Sequence, residues 1–244
     1  MLVTDIDGTL LDSKGEISDY TKEMIDLIKD DVKVILASAR GYYSLKPYLT
    51  RLGLDTKDQY VIAFNGARVA NGKDEAIFDA PLDKDIVLKA LEYLKDKEVR
   101  TYLYDDSGRY DIKKIEDIDN FMKRKVYKIV SEGDEKMIEE FKDEMANDLK
   151  DGLEVTSSLL NRFEAVKKGS TKVEAIKMLL DRTSIARTQV VACGDGDNDI
   201  GMIEYAALGV AMGNAQKSVK ESADVITSDN DHDGIGQVID MFFM

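Results

Sequence analysis

The chain is poor in the residues on which most catalytic chemistry depends. Its 244 residues include one cysteine, Cys193, and one histidine, His232. A single cysteine excludes an internal disulfide framework and any cysteine-rich zinc site. A single histidine excludes a multi-histidine metal site and would force any Ser-His-Asp or Cys-His machine through His232. There is no tryptophan, and the only prolines are Pro47 and Pro81. No apolar run nears the ~20 residues of a membrane-spanning helix. The opening M-L-V-T-D-I-D has neither a basic leader nor a secretory apolar stretch. Positive charge is scarce too: 34 basic residues against 48 acidic ones give a net charge of −14. Nucleic acids and anionic membranes both call for a basic field, so neither is expected as a partner. The expectation is a soluble, cytoplasmic protein acting on a small molecule, with a monomer as the default. Its chemistry must come from carboxylates, hydroxyls, lysines or a bound metal.

What is present is a series of short apolar runs, most of them ending in a polar or glycine-rich cluster. Leu2-Val3-Thr4 leads into Asp5-Ile6-Asp7-Gly8, and Val32 to Ala37 leads into Ser38-Ala39-Arg40-Gly41. Tyr60 to Phe64 leads into Asn65-Gly66, Val190 to Cys193 into Gly194 to Asp199, and Leu208 to Met212 into Gly213-Asn214. These runs are continuous rather than alternating, as in strands buried on both faces of a parallel sheet. Helical patterns lie between them: Met24, Ile25, Leu27 and Ile28; Leu45, Leu49 and Leu52; Val173, Ile176 and Leu180. Thr171 and Glu174 have the spacing of a capping box. The alternation predicts a doubly wound, Rossmann-like α/β sheet, with its ligand beyond the carboxyl ends of the strands.

The middle of the chain reads differently. A helix is expected over 85–97, a hairpin around Asp106-Ser107-Gly108, a strand over 126–130, a helix over 137–149, and strands over 153–157 and 162–167. Helices grouped with antiparallel strands predict a separate α+β unit. The expected division is a core of 1–80 and 163–244 with an inserted unit over 81–162.

Asp5 and Asp7, two apart at a strand end, can turn both carboxylates into one site. Asp195 and Asp199 should reach the same rim. Carboxylates gathered in this way repel one another unless a cation is present. Oxygen-only ligation selects a hard ion, Mg²⁺ before Ca²⁺ or Mn²⁺. Lys172 at a helix start and the Ser38 hydroxyl complete what reads as a site for a phosphoryl group.

On these residues the chain resembles the haloacid dehalogenase superfamily. D-I-D-G-T-L-L at 5–11 is similar to its first motif, Ser38 to the second, Lys172 to the third, and G-D-G-D-N-D at 194–199 to the fourth. The order agrees, and the likeness covers nearly the whole chain. F-N-G-A at 64–67 and A-M-G-N-A at 211–215 resemble the Cof-type, subclass IIB phosphatases, which carry an α/β cap between the second and third motifs. S-A-R at 38–40 departs from their usual T-G-R but keeps the hydroxyl. The resemblance implies a Mg²⁺-dependent phosphatase of small phosphorylated metabolites, sugar phosphates first, working through an aspartyl-phosphate. It implies Asp5 as nucleophile and Asp7 as general acid and base. Mg²⁺ would be held by Asp5, Asp195 and the Asp7 carbonyl, and the phosphate by Ser38, Lys172 and Asn198. Asp199 would hold a metal-bound water or Lys172, and Arg40 either touches substrate or forms an ion pair.

Three other readings are open. A phosphotransferase or mutase would pass the phosphoryl group to a sugar hydroxyl. A dehalogenase could use Asp5, although halide needs no protonation and Asp7 argues against it. A non-catalytic calcium module is suggested by Asp229, Asp231, Asp233, Gly234 and Asp240, which nearly spell an EF-hand loop. The expected strand over 224–227, where that loop needs an incoming helix, favours an acidic turn before the last helix.

Overall fold

The computed structural model describes residues 1–94, 97–149, 151–159 and 161–244. In chain order the elements are β1 (Leu2–Thr4), α1 (Asp19–Ile28), β2 (Val34–Ala37), α2 (Tyr42–Leu52), β3 (Tyr60–Ala63), β4 (Arg68–Asn71) and β5 (Ala76–Asp79). There follow α3 (Lys84–Leu94), β6 (Arg100–Asp105), β7 (Gly108–Asp111), α4 (Ile118–Phe121), β8 (Lys128–Glu132), α5 (Glu135–Asp148), β9 (Leu153–Leu159) and β10 (Arg162–Lys167). The chain ends with α6 (Lys172–Thr183), β11 (Val191–Gly194), α7 (Ile200–Tyr205), β12 (Leu208–Ala211), α8 (Lys217–Ser222), β13 (Val225–Ile226) and α9 (Gly234–Phe243). Among the described residues, no helix is long and apolar enough to cross a membrane.

Packing divides the chain into Met1–Ile77 with Thr171–Met244, and Phe78–Ser170. The second unit is therefore longer at both ends than the expected 81–162. The correction at its far end has a simple cause: β10 pairs antiparallel with both β8 and β9, so 163–167 belong to the second sheet and not to the first.

The first unit is built on an eight-stranded sheet of order β13-β12-β11-β1-β2-β3-β4-β5. Strands β13 to β3 in that order are parallel, as the continuous apolar runs predict. Leu2, Val3, Val34, Ile35 and Val210 are all fully buried, which requires cover on both faces. The sequence reading missed β4 and β5, and β4 runs antiparallel to β3. Arg68-Val-Ala-Asn is short and polar at both ends, so it lacks the buried-strand signature. Strand β1 lies between β2 and β11, and the chain proceeds outward from it in both directions. It is the switch point of the sheet, where a crevice opens beyond the carboxyl ends of the strands.

The helices follow their apolar faces. Helix α1 begins at Ser18, whose hydroxyl accepts from Thr21 N at 3.0 Å, and it buries Met24, Ile25 and Ile28. Leu27, expected on that face, is instead 55% exposed. Helix α2 buries Leu45, Leu49 and Leu52 as predicted and ends at the left-handed Gly53. Thr171 caps α6, but the reciprocal capping-box bond is not made, because the Glu174 carboxylate accepts from Lys177 at 2.6 Å.

The second unit has a five-stranded antiparallel sheet of order β7-β6-β8-β10-β9. The predicted hairpin is β6–β7, and the strand expected at 126–130 is shifted to Lys128–Glu132. The helix expected over 85–97 is seen as α3, with 95 and 96 outside the described residues. Thr101, Leu103 and Asp105 of β6 are buried while Tyr102 and Tyr104 are half-buried, the period-two pattern of a sheet packed on one side. Val87, Ala90, Ile138, Phe141, Ile129 and Phe163 form its apolar core. Each large buried side chain there stabilises by roughly 1.5–3 kcal/mol.

Candidate active site

Asp5 stands one residue beyond β1, and its N–H donates to Cys193 O at 3.0 Å. The β1–β11 ladder thus continues to Asp5 and fixes its backbone. The next turn depends on Gly8, whose φ of +82° lies in the left-handed region. A Cβ there would overlap the Asp195 carboxylate, so glycine lets the Asp5–Thr9 loop pass over the end of β11. Thr9 Oγ1 then donates to Asp195 Oδ1 at 2.6 Å.

Lys172 is the first residue of α6 and is 1% exposed. Its Nζ donates to Asp5 Oδ1, and to Asp199 Oδ1 at 2.6 Å. The other Asp199 oxygen accepts from the backbone N–H groups of Asp195 and Gly196, each at 3.1 Å. Asp199 therefore holds Lys172 and the loop after β11 together.

The turn after β3 ties this assembly to Ser38. Phe64 and Asn65 are left-handed, with φ of 50° and 56°. Asn65 N donates to Ser38 O at 2.9 Å, and Asn65 Oδ1 accepts from Asn198 Nδ2 at 3.1 Å. A Cβ at Gly66 would strike the Thr171 backbone, so glycine there admits the start of α6. Ser38, 1% exposed, turns its hydroxyl to accept from Arg40 N at 3.1 Å.

The electrostatics are unbalanced. Burial pushes the Asp5 carboxyl above its usual range, Lys172 pulls it back, and the negative charges of Asp199 and Asp195 push it further up. Burial also lifts Asp195, to about 6, against the bond from Thr9. For Lys172 burial favours the neutral amine, but Asp199 and Asp5 outweigh it and keep the ammonium. Asp5, Asp195 and Asp199 each offer a ligand oxygen, and these atoms lie within 4.8 Å of one another. Burial also raises the Cys193 thiol, so it is an inert strand residue.

The sequence pattern of the haloacid dehalogenase-like hydrolases matches residues 2–239. The chain belongs to that family. Over 265 residues it is 26% identical to the 5-amino-6-(5-phospho-D-ribitylamino)uracil phosphatase of Bacillus subtilis, an alignment covering 100% of this chain and 97% of that protein. A haloacid dehalogenase-like hydrolase of Bacteroides thetaiotaomicron superposes with a TM-score of 0.89 at 29% identity, covering 99% of this chain and 98% of that one. A subclass IIB sugar phosphatase superposes with a TM-score of 0.83 at 24% identity over 99% and 98% of the two chains, a likeness of fold.

The structure adds partners to several residues of this haloacid dehalogenase-like hydrolase. Asn198, expected on phosphate, donates one amide N–H to Asn65, a residue quoted in the F-N-G-A likeness and given no role. The Asp7 carboxylate lies outside the acidic cluster and pairs with Arg40, so Arg40 is in an ion pair. Thr9 was missed because a threonine two residues after an Asp carries no signal until the fold brings Asp195 to it. In the 229–240 segment β13 enters, followed by a turn capped by Asp229, and Asp231 Oδ1 accepts from Ser13 N at 2.8 Å. Those carboxylates act as turn and loop fastenings.

The residues present fit a hard divalent ion. Both Asp199 oxygens are engaged, whereas Asp5 and Asp195 each accept one side-chain bond, on Oδ1. The clearance over Gly8 lies on the Asp195 Oδ2 side.

Proposed function

We propose that this hydrolase is a Mg²⁺-dependent phosphatase of small phosphorylated metabolites, sugar phosphates first among them, working through an aspartyl-phosphate on Asp5. The observation that carries the reading is the buried Lys172, bonded to both Asp5 and Asp199 at the carboxyl end of the sheet. It orients one oxygen of Asp5 and leaves the other for attack on phosphorus. An ammonium has three N–H donors, and two are used, so the third is available to a phosphoryl oxygen. Ser38 and Asn198 are proposed to bind the same phosphoryl group.

The reaction class follows from these groups. Asp5 attacks phosphorus, and Asp7 protonates the leaving oxygen, then takes a proton from the water that hydrolyses the aspartyl-phosphate. Asp5, Asp195 and the Asp7 carbonyl would hold Mg²⁺, which would supply positive charge against the phosphoryl oxygens. By the family resemblance, substrate choice is assigned to the inserted unit Phe78–Ser170. The B. subtilis relative, named as a phosphatase of a phosphorylated small molecule, supports the substrate class.

A screen of phosphorylated metabolites with inorganic phosphate as the readout, with and without Mg²⁺, tests the proposal. Phosphate from none of them would overturn it. Transfer to an acceptor hydroxyl without free phosphate would make the protein a phosphotransferase.

A further inference from the structure

Asp7 and Arg40 are joined by two hydrogen bonds, one to each carboxylate oxygen: Nε to Oδ2 at 2.8 Å, and Nη2 to Oδ1. Arg40 is itself tethered. Its Nη1 donates to the Tyr48 hydroxyl at 3.2 Å, and its guanidinium carbon lies 5.6 Å from the centre of the Tyr48 ring. Tyr48 is on α2, whose buried face packs it firmly into the first unit. The Arg40 and Asp7 side chains are 33% and 56% exposed, so their pairing contributes little to folding. Its geometry is nonetheless specific. A fork giving one N–H to each oxygen fixes the carboxylate plane. Each oxygen accepts one N–H and keeps a lone pair free. Asp7 is thus held in one orientation and open to water.

We infer that Arg40, anchored by Tyr48, is a positioning residue that aims the Asp7 carboxylate at the hydrolytic water in the second half of the reaction. The inference rests on Asp5 as nucleophile and Asp7 as base in the function proposed above. In that step the water oxygen bonds to phosphorus. The bond from phosphorus to the Asp5 oxygen breaks, and its electron pair returns to the Asp5 carboxylate. The water proton passes to Asp7, and inorganic phosphate leaves. Arg40 exchanges no proton; it fixes where the accepting oxygen stands.

The test separates the two half-reactions. Full-length enzyme with Mg²⁺ is mixed with para-nitrophenyl phosphate labelled in the phosphoryl group and quenched in acid, and protein-bound label is followed in time. Nitrophenolate leaves without a proton donor, so formation of the phosphoenzyme should not need Asp7. Arg40→Lys keeps the charge but cannot form the fork. It should slow decay of the phosphoenzyme about tenfold and change its formation less than about threefold. Tyr48→Phe, which removes only the hydroxyl of the anchor, should slow decay by about twofold to threefold. Asp7→Asn should slow it by ~10²-fold or more. Decay at the wild-type rate in Arg40→Lys would overturn the inference. So would slower formation and a raised KM with unchanged decay, which would make Arg40 a substrate contact. If neither wild type nor Asp7→Asn ever carries label while phosphate is released, Asp5 is not the nucleophile, and the underlying reading fails instead.

Discussion

Lys172 in the first unit and Lys128 in the second are both buried, and both bond to buried carboxylates. Their company differs. Lys128 Nζ donates to Glu164 at 2.9 Å, and the other Glu164 oxygen accepts from Arg162 at 2.6 Å. Arg162 also lies 4.0 Å from Glu132, so two cations face two carboxylates across neighbouring strands and the charges balance. Lys172 faces Asp5 and Asp199, with Asp195 close by, and here anions outnumber the cation. Uncompensated buried charge is costly and persists where function requires it. The second unit's cluster is structural, whereas the first unit's cluster lacks positive charge and can accept a divalent ion.

The largest effect expected at the unbalanced cluster is on rate. Asp5→Asn replaces the proposed nucleophile and ligand with an amide, and phosphate release should fall by ~10⁴-fold or more with folding retained. Circular dichroism and phosphate release together check this; activity within about tenfold of wild type would remove Asp5 from the mechanism.

A matched pair of substitutions sharpens the contrast. Lys172→Met strands two buried carboxylates and should cost about 3–5 kcal/mol together with nearly all turnover. Lys128→Met leaves Glu164 bonded to Arg162 and should cost about 1–3 kcal/mol, with phosphate release from an aryl phosphate within about tenfold of wild type. Urea unfolding and turnover measure both. Equal losses of turnover would erase the distinction between the two lysines.

The smallest effect concerns the ion. The Asp195 carboxyl, lifted to about 6 by burial, holds its proton in the folded protein over a range where the unfolded chain has released it. Without metal, its contribution to stability falls as pH rises from about 4 to about 6. A divalent ion must displace that proton. Mg²⁺ should therefore raise the melting temperature by about 5 °C near pH 7, and clearly less near pH 5. Asp195→Asn should lose both the rise and its pH dependence. An equal rise at both pH values in wild type would place the ion elsewhere.

The parallel strands were legible because fully buried strands are written as unbroken apolar runs, each ended by a polar cluster. Strands β4 and β5 were not, since a short strand at the side of a sheet needs no such run. The division of the chain was legible as a change of pattern, but its position was not. Arg162 to Lys167 reads simply as a strand, and pairing with β8 and β9 assigned it to the second sheet. Within the site, Asp5, Lys172, Asp195 and Asp199 could be named from motif order, and all four are joined by direct bonds. The pairings of Asn198 with Asn65 and of Arg40 with Asp7 could not be named.

The sequence by itself determined which residue types are present, their order, and the periodicities that make an α/β core around a carboxylate-rich rim. Those properties are local, set by neighbours along the chain. Only the tertiary structure decided which side chains share a bond, because Asp5 and Lys172 are 167 positions apart and Lys172 and Asp199 are 27 apart. Long polar side chains such as Arg40 have several partners within reach. Which one they take depends on the direction of a helix packed from elsewhere, here α2 with its Tyr48.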